Sequence, residues 1–183
     1  MPRNSSSPPP RNCRQDKIPG TQTYYRLPEV IRAVPSLLAG GRDPENAVSE
    51  FEQHYAATLA IPEAMALPSA RVALYYLLRA LQLPPGSEVL VTPLTIADII
   101  NVIVSAGLTP VMVDLDPDTL ACAPDELAAL TTARTRVLVL TYLYGLVPAT
   151  QEQLLAFAAA HQLLVIEDIS QALGAEWRGR RLG

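Results

Sequence analysis

Four short runs of mostly apolar residues recur along the chain, and each is separated from the next by a segment of mixed polarity. The runs are EVLV (88–91), PVMV (110–113), VLVLT (137–141) and LLVI (163–166). Short apolar runs without a regular polar alternation are typical of strands that are covered on both faces of a parallel sheet. The pattern therefore predicts four buried strands.

Helical spacing of apolar residues fills the segments around these strands. Asp43-Pro44 has the form of a helix N-cap followed by proline, and positions 48, 51, 55 and 59 continue at helical spacing. A second helix, with apolar residues from Val72 to Leu83, follows Ser69 and stops at PPG (84–86). Three more are predicted at 96–106, 124–130 and 151–161, the last opened by a capping box, Thr150-x-x-Gln153.

Strands that alternate with helices indicate βαβ units and a mostly parallel sheet, so we predict an α/β fold with three layers, helix, sheet and helix. The last segment, AEWRGRRLG (175–183), predicts a strand that enters a tight turn at Gly179. We interpret it as an unpaired half of a hairpin, which suggests that the chain is a fragment.

The N-terminal residues differ in composition from the rest. Residues 1–24 are rich in Pro, Ser and Arg and poor in aliphatic residues, so burial there cannot offset the entropy of ordering the chain. We predict a disordered tail at 1–24 and a folded domain at 25–183, since the apolar fraction of 49% is sufficient for a core.

Charge and cysteine content restrict the class of protein. A net charge of −4, with only 14 basic residues and no basic stripe outside the tail, argues against nucleic-acid binding. The two cysteines form neither a disulfide framework nor a metal-ligand spacing. No apolar stretch reaches membrane-spanning length and the N-terminus lacks the apolar core of a signal peptide, so we expect a cytoplasmic protein without a metal site.

Two positions are candidates for chemistry. Asp168 follows a predicted strand, and ligands of parallel α/β sheets lie at the carboxyl ends of strands. It is equally a helix N-cap or a surface acid, as is Glu167. The turn Ser69-Ala70-Arg71 enters a helix, where free N–H groups bind phosphate, but Ser69 is also a plain N-cap residue.

Three segments carry a family resemblance: VIEDISQALGAEWRGRRLG (165–183), LPPGSEVLVTPLTIADIINVIVSAGLTPVMVDLDPDT (83–119) and TRVLVLTYLYG (135–145). In this order they resemble the N-terminal half of a DegT/StrS-type sugar aminotransferase, over about 27–183. The resemblance implies the incomplete large domain of a fold-type-I enzyme. Such enzymes use pyridoxal 5′-phosphate (PLP) to transfer an amino group from an amino acid to a nucleotide-linked ketosugar, and they have active sites at the interface of a homodimer.

By this resemblance, Asp168 pairs with the protonated pyridine nitrogen of PLP and keeps the ring an electron sink. Gln171, one helical turn further on, lies near the phenolic oxygen. Ser69, Ala70 and Arg71 form the turn that binds the phosphate.

The sequence also departs from the family. Ala70-Arg71 replaces the common Gly-Thr, although an arginine can bind phosphate through its forked guanidinium. Ile96 replaces an aromatic residue that stacks on the cofactor, and Tyr142 replaces a common histidine. The family's Schiff-base lysine follows the Gly-Arg-x-x-Gly segment after a further strand, and the only lysine here is Lys17, so no catalytic residue is predicted in this chain.

Three hypotheses follow. The chain is part of a PLP-dependent sugar aminotransferase and is inactive alone, or it is a non-catalytic half-domain that binds a full-length paralogue. The third hypothesis is a gene fragment without function, whose uncovered sheet edge is prone to aggregation.

Overall fold

A computed structural model of the protein describes residues 44–117 and 121–183, together with residues 27, 28, 31, 34 and 35. The chain divides into two units, Met1–Asn46 and Ala47–Gly183. The sheet and the candidate site both belong to the second unit. The predicted tail at 1–24 and the predicted N-cap at Asp43 lie outside the described residues.

Helices and strands alternate through most of the second unit, as predicted. The helices are α1 (Pro44–Leu59), α2 (Ala70–Ala80), α3 (Ala97–Ser105), α4 (Pro124–Leu130) and α5 (Gln151–Ala160). The strands are β1 (Glu88–Val91), β2 (Thr109–Met112), β3 (Thr135–Thr141), β4 (Leu164–Asp168), β5 (Glu176–Trp177) and β6 (Arg180–Arg181). A short 3-10 turn, Leu143–Gly145, follows β3.

Four of these strands form one parallel sheet in the order β2-β1-β3-β4. Strand β3 lies inside the sheet, between β1 and β4. Its residue Val139 pairs with Val91 on one side and with Ile166 on the other. The α/β fold with a parallel sheet is therefore confirmed. Parallel pairing places the carboxyl ends of the strands at one edge of the sheet, where ligands bind in such folds.

Side chains alternate between two faces along each strand, and each face is covered by different helices. Leu138 and Leu140 of β3 pack in one cluster with Leu127 of α4 and Leu154 of α5. On the opposite face, residues of β1 and β3 pack against α2 and α3. This second cluster includes Val91, Val137, Val139, Leu74, Leu78, Ile99 and Ile103. The predicted three layers are present in the described residues.

The C-terminal segment forms a complete hairpin, so the prediction of an unpaired half-hairpin is wrong. Trp177 pairs with Arg180 in antiparallel register, across a turn in which Arg178 and Gly179 have φ of 49° and 77°. Two successive left-handed residues match the twist of a tight hairpin. Leu182, only 3% exposed, anchors this hairpin to the core.

The predicted capping box at α5 is also wrong. The Thr150 hydroxyl makes no cap bond and instead donates to the carbonyl oxygen of Cys122 at 2.7 Å. The hydroxyl thus connects the start of α5 to the loop before α4. Across the described residues, no helix is both long enough and apolar enough to cross a bilayer.

A buried carboxylate lies at the end of the sheet opposite the candidate site. Glu88, at the start of β1, accepts hydrogen bonds from the hydroxyls of Thr132 at 2.6 Å and Thr135 at 3.0 Å, and from Nη2 of Arg134 at 2.6 Å. The Thr132 hydrogen bond, followed by that of Arg134, holds the pKa of Glu88 below its ordinary value.

Replacement of Leu90 by alanine tests whether β1 is buried in the core of the domain. Leu90 is fully buried, so we expect Leu90→Ala to lower the free energy of unfolding by about 2 to 5 kcal/mol through lost burial and a residual cavity. Leu164→Ala is the control, because Leu164 of β4 is 45% exposed. Urea unfolding followed by circular dichroism measures both; equal losses would contradict the assigned core.

The Glu88 cluster predicts a pH dependence of stability. Because the folded pKa of Glu88 is lowered, its stabilising contribution is complete above the ordinary value of 4.5 and is lost as the pH falls through the folded value. We expect the stability difference between the native chain and Glu88→Gln to be largest near neutral pH and to shrink below pH 4.5. Unfolding curves from pH 7 to pH 3 test this, with the exposed Glu63→Gln as control. A difference that stays constant would contradict the role of the carboxylate.

Candidate functional site

A groove of about 720 Å³ lies beside the carboxyl end of β4 and the start of α2. Asp168 and Ala70 both line it, although they are far apart in the sequence. Most of the remaining wall is apolar and comes from α2, from Tyr55 of α1 and from the loop between these helices. The structure therefore brings the two predicted elements of the site, the strand-end acid and the turn at Ser69, to the same groove.

Side-chain alternation explains why Asp168 faces this groove. Ile166 packs with the α2 and α3 cluster, and Asp168, two residues further along β4, lies on the same face. Glu167 lies between them and shares the opposite face with Val165, which packs toward α4 and α5. Adjacent acids thus have different surroundings.

The backbone and one carboxylate oxygen of Asp168 are held by local hydrogen bonds. The backbone N–H of Tyr142 donates to the Asp168 carbonyl at 3.1 Å, which extends the pairing with β3. The N–H of Ser170 donates to Oδ1 at 3.0 Å. Among the described residues no hydrogen bond uses Oδ2, so this half-buried carboxylate can accept a further donor.

Ser69 acts as an N-cap in this structure. Its backbone is extended, its Oγ accepts from the N–H of Val72 at 3.3 Å and its carbonyl accepts from the N–H of Ala73 at 2.9 Å. The N–H groups of Ala70 and Arg71 have no hydrogen-bond partner among the described residues. Free N–H groups at the positive end of a helix dipole favour an anion, so capping and phosphate binding are compatible here.

The Arg71 guanidinium forms an ion pair with Asp98 in the first turn of α3. Both side chains are about half exposed, at 54% and 49%. Ion pairs at this exposure contribute roughly 0.2 to 1 kcal/mol, so a bound anion can compete for the arginine.

Four predicted site residues do not line the groove: Ser69, Arg71, Ile96 and Gln171. Ile96 is 48% exposed and precedes the first residue of α3. Gln171 is exposed and accepts a hydrogen bond at Oε1 from the N–H of Tyr144 at 3.4 Å. It lies in a turn after β4 and not in a helix. Their contacts with a cofactor stay predictions.

The partnership of Tyr142 and Glu167 was not predicted from the sequence. Tyr142 is 1% exposed, and its hydroxyl donates to Oε1 of Glu167. Burial raises the pKa of Tyr142, and the hydrogen bond to Glu167 raises it further, so the phenol remains a donor. The period-two alternation of a strand that ends in two acids is the signal that could have indicated it.

Comparison with known proteins identifies the family of the chain. The sequence model of the DegT/DnrJ/EryC1/StrS aminotransferase family matches residues 30–183. The chain belongs to this family. The family resemblance found in the sequence is thereby confirmed.

Two relatives in the DegT/DnrJ/EryC1/StrS family illustrate the match. GDP-perosamine synthase of Caulobacter vibrioides is 38% identical over 136 residues, which are 74% of this chain and 36% of that protein. The spore coat polysaccharide biosynthesis protein SpsC of Bacillus subtilis is 33% identical over 164 residues, which are 87% of this chain and 42% of that protein. The chain thus spans less than half the length of these relatives.

Solved structures show the same fold. An aminotransferase from Psychrobacter cryohalolentis superimposes with a TM-score of 0.78 at 33% identity, over 87% of this chain and 41% of that one. The E. coli GDP-4-keto-6-deoxy-D-mannose-3-dehydratase with bound hydrated PLP gives 0.75 at 21% identity, over 89% and 43%. The prediction of PLP as the family's cofactor is confirmed.

Removal of the Tyr142 hydroxyl tests the hydrogen bond between Tyr142 and Glu167. We expect Tyr142→Phe to lower the free energy of unfolding by about 1 to 3 kcal/mol, because the Glu167 carboxylate loses a buried donor. Tyr144→Phe, at a ring that is 80% exposed, should change it by less than about 0.5 kcal/mol. Equal effects in urea unfolding would show that the hydrogen bond does not stabilise the end of β4.

Proposed function

We propose that the protein is the N-terminal part of the PLP-binding large domain of a sugar aminotransferase. In the complete enzyme this domain takes part in transfer of an amino group from an amino acid to a nucleotide-linked ketosugar. The observation that supports the proposal is that the Asp168 carboxylate and the first residue of α2, Ala70, line one groove.

The residues of this groove fit the two charged ends of PLP. The ring nitrogen requires an acceptor that keeps its proton, and Oδ2 of Asp168 is available for it. The phosphate requires donors, and the N–H groups of Ala70 and Arg71 are available at the N-terminus of α2. The groove volume of about 720 Å³ is within the usual range for cofactor sites.

Each residue then has a distinct task. Asp168 holds a proton at the pyridine nitrogen, and a charge-assisted hydrogen bond of this kind contributes about 1.5 to 3 kcal/mol. Ser69 keeps the helix end open by capping it, while Arg71 exchanges Asp98 for the phosphate. Ile96 makes an apolar contact with the ring, and Gln171 turns from Tyr144 toward the phenolic oxygen. When bound, PLP supplies the electron sink for amino-group transfer.

Turnover needs an amine that the described residues lack. Residues 44–183 contain no lysine, and Lys17 lies outside the described residues. We therefore propose that this chain alone binds PLP without a covalent bond and does not catalyse transfer.

The names of the relatives support the substrate class, since one is a GDP-perosamine synthase and another acts in spore coat polysaccharide biosynthesis. A homodimer in the cytoplasm is also part of the proposal. A reducing compartment is consistent with Cys122, which is buried and free.

Asp168→Asn tests the role of the carboxylate. We expect the variant to bind PLP about 10-fold to 100-fold more weakly in a fluorescence titration, because the amide cannot make a charge-assisted hydrogen bond with the ring nitrogen. Nitrogen-15 NMR of labelled PLP should show that the bound ring loses its proton at a lower pH in the variant.

Asp114→Asn serves as the matched control, since Asp114 is exposed and does not line the groove. It should leave both the affinity and the ring protonation unchanged. Identical behaviour of Asp168→Asn and the native chain would contradict the proposed function.

A further inference from the structure

A small pocket lies at the carboxyl ends of β1 and β3, apart from the groove beside β4. Its volume is about 100 Å³, and none of the residues that line it lines the groove. Thr92, directly after β1, and Thr141, the last residue of β3, both belong to its wall. Thr92 lies two residues beyond Leu90, so it faces the side of the sheet that α4 and α5 cover. Ligands of parallel α/β folds bind at the carboxyl ends of strands, so the pocket is a second candidate site.

The wall of this pocket is mostly apolar. Leucine side chains come from three parts of the fold: Leu115 after β2, Leu140 of β3 and Leu154 of α5. No charged side chain of the described residues lines the pocket. A charged ligand would lose its water here without gaining an opposite charge, so the wall favours a neutral molecule.

A buried hydroxyl without a partner belongs to this wall. Thr92 is 8% exposed, and no hydrogen bond among the described residues uses its hydroxyl. The Thr141 hydroxyl donates to that of Thr95 at 3.5 Å, which is longer than a good hydrogen bond between hydroxyls. The Tyr142 ring also lines the pocket, but its hydroxyl donates to Glu167. Buried polar groups are normally hydrogen-bonded, so the two threonine hydroxyls are available to a ligand.

The volume of the pocket limits the size of that ligand. A cavity of about 150 Å³ holds benzene or xenon, so a pocket of about 100 Å³ takes a molecule of about four heavy atoms. Several water molecules would need about two to four polar partners each, which is more than two hydroxyls supply. An apolar group that displaces such poorly held water gains affinity.

We propose that this pocket binds a small neutral molecule that has an apolar body and one hydroxyl or carbonyl oxygen. The oxygen bonds to the Thr92 hydroxyl, and the apolar body contacts Leu140 and Leu154. The Thr150 hydroxyl donates to the Cys122 carbonyl at 2.7 Å and thereby connects the loop before α4 to α5, so the wall is formed before the ligand binds. This inference does not depend on the proposed cofactor.

Titration of the full chain with 1-propanol tests the inference. In NMR spectra of the chain with labelled leucine and threonine methyl groups, we expect saturable shifts at Thr92, Leu140 and Leu154 at millimolar concentrations of the alcohol. Nuclear Overhauser contacts should join the propyl chain to Leu140. Xenon, which fills space without a hydrogen bond, is the second probe and should shift the same methyl signals.

Three variants separate the hydrogen bond from the space. Thr92→Val removes the hydroxyl and keeps the shape, so it should weaken 1-propanol binding about threefold to tenfold and leave xenon binding unchanged. Thr109→Val is the matched control, because Thr109 is exposed and lies outside the pocket, and it should change neither affinity. Val147→Phe fills the pocket and should abolish binding of both probes.

Three results would each overturn the inference: shifts that do not saturate, equal 1-propanol affinity of Thr92→Val and the native chain, and 1-propanol binding that survives Val147→Phe. Urea unfolding shows whether each variant is folded. Thr92→Val has nearly the native side-chain size, so it keeps the test decisive if Val147→Phe does not fold.

Discussion

The pairing of β4 with β3 is the constraint on which the site depends. It is maintained by the ladder from Val137 to Thr141 and by the bond from the Tyr142 N–H to the Asp168 carbonyl. Because side chains alternate along a strand, this register directs Asp168 to the groove and Glu167 to the buried hydroxyl of Tyr142. A shift of one residue would exchange the surroundings of the two acids and turn the Asp168 side chain to the opposite face of the sheet.

The same strand connects stability with function. Its inner side is bonded to β3, and its C-terminal end carries the acid that we assign to the cofactor.

Much of the fold was predictable because its signals are local. Apolar runs marked all four parallel strands, the boundaries of β1 and α4 were exact, and Ser69 preceded a helix as expected. The extension of β4 to Asp168 was not predicted, since acids usually end an apolar pattern. Here the N–H groups of Tyr142 and Ser170 hold the acidic end of the strand in place, and the Tyr142 contact forms only when β3 and β4 pair. The same reason explains Thr150, whose hydroxyl bonds to Cys122 instead of its own helix.

A crystal structure of the chain with PLP tests directly whether Asp168 and the N-terminus of α2 bind one cofactor. We predict the ring nitrogen within hydrogen-bond distance of the Asp168 carboxylate and the phosphate at the N–H groups of Ala70 and Arg71. An Asp168 side chain directed into solvent, or PLP bound away from the groove between β4 and α2, would contradict the account.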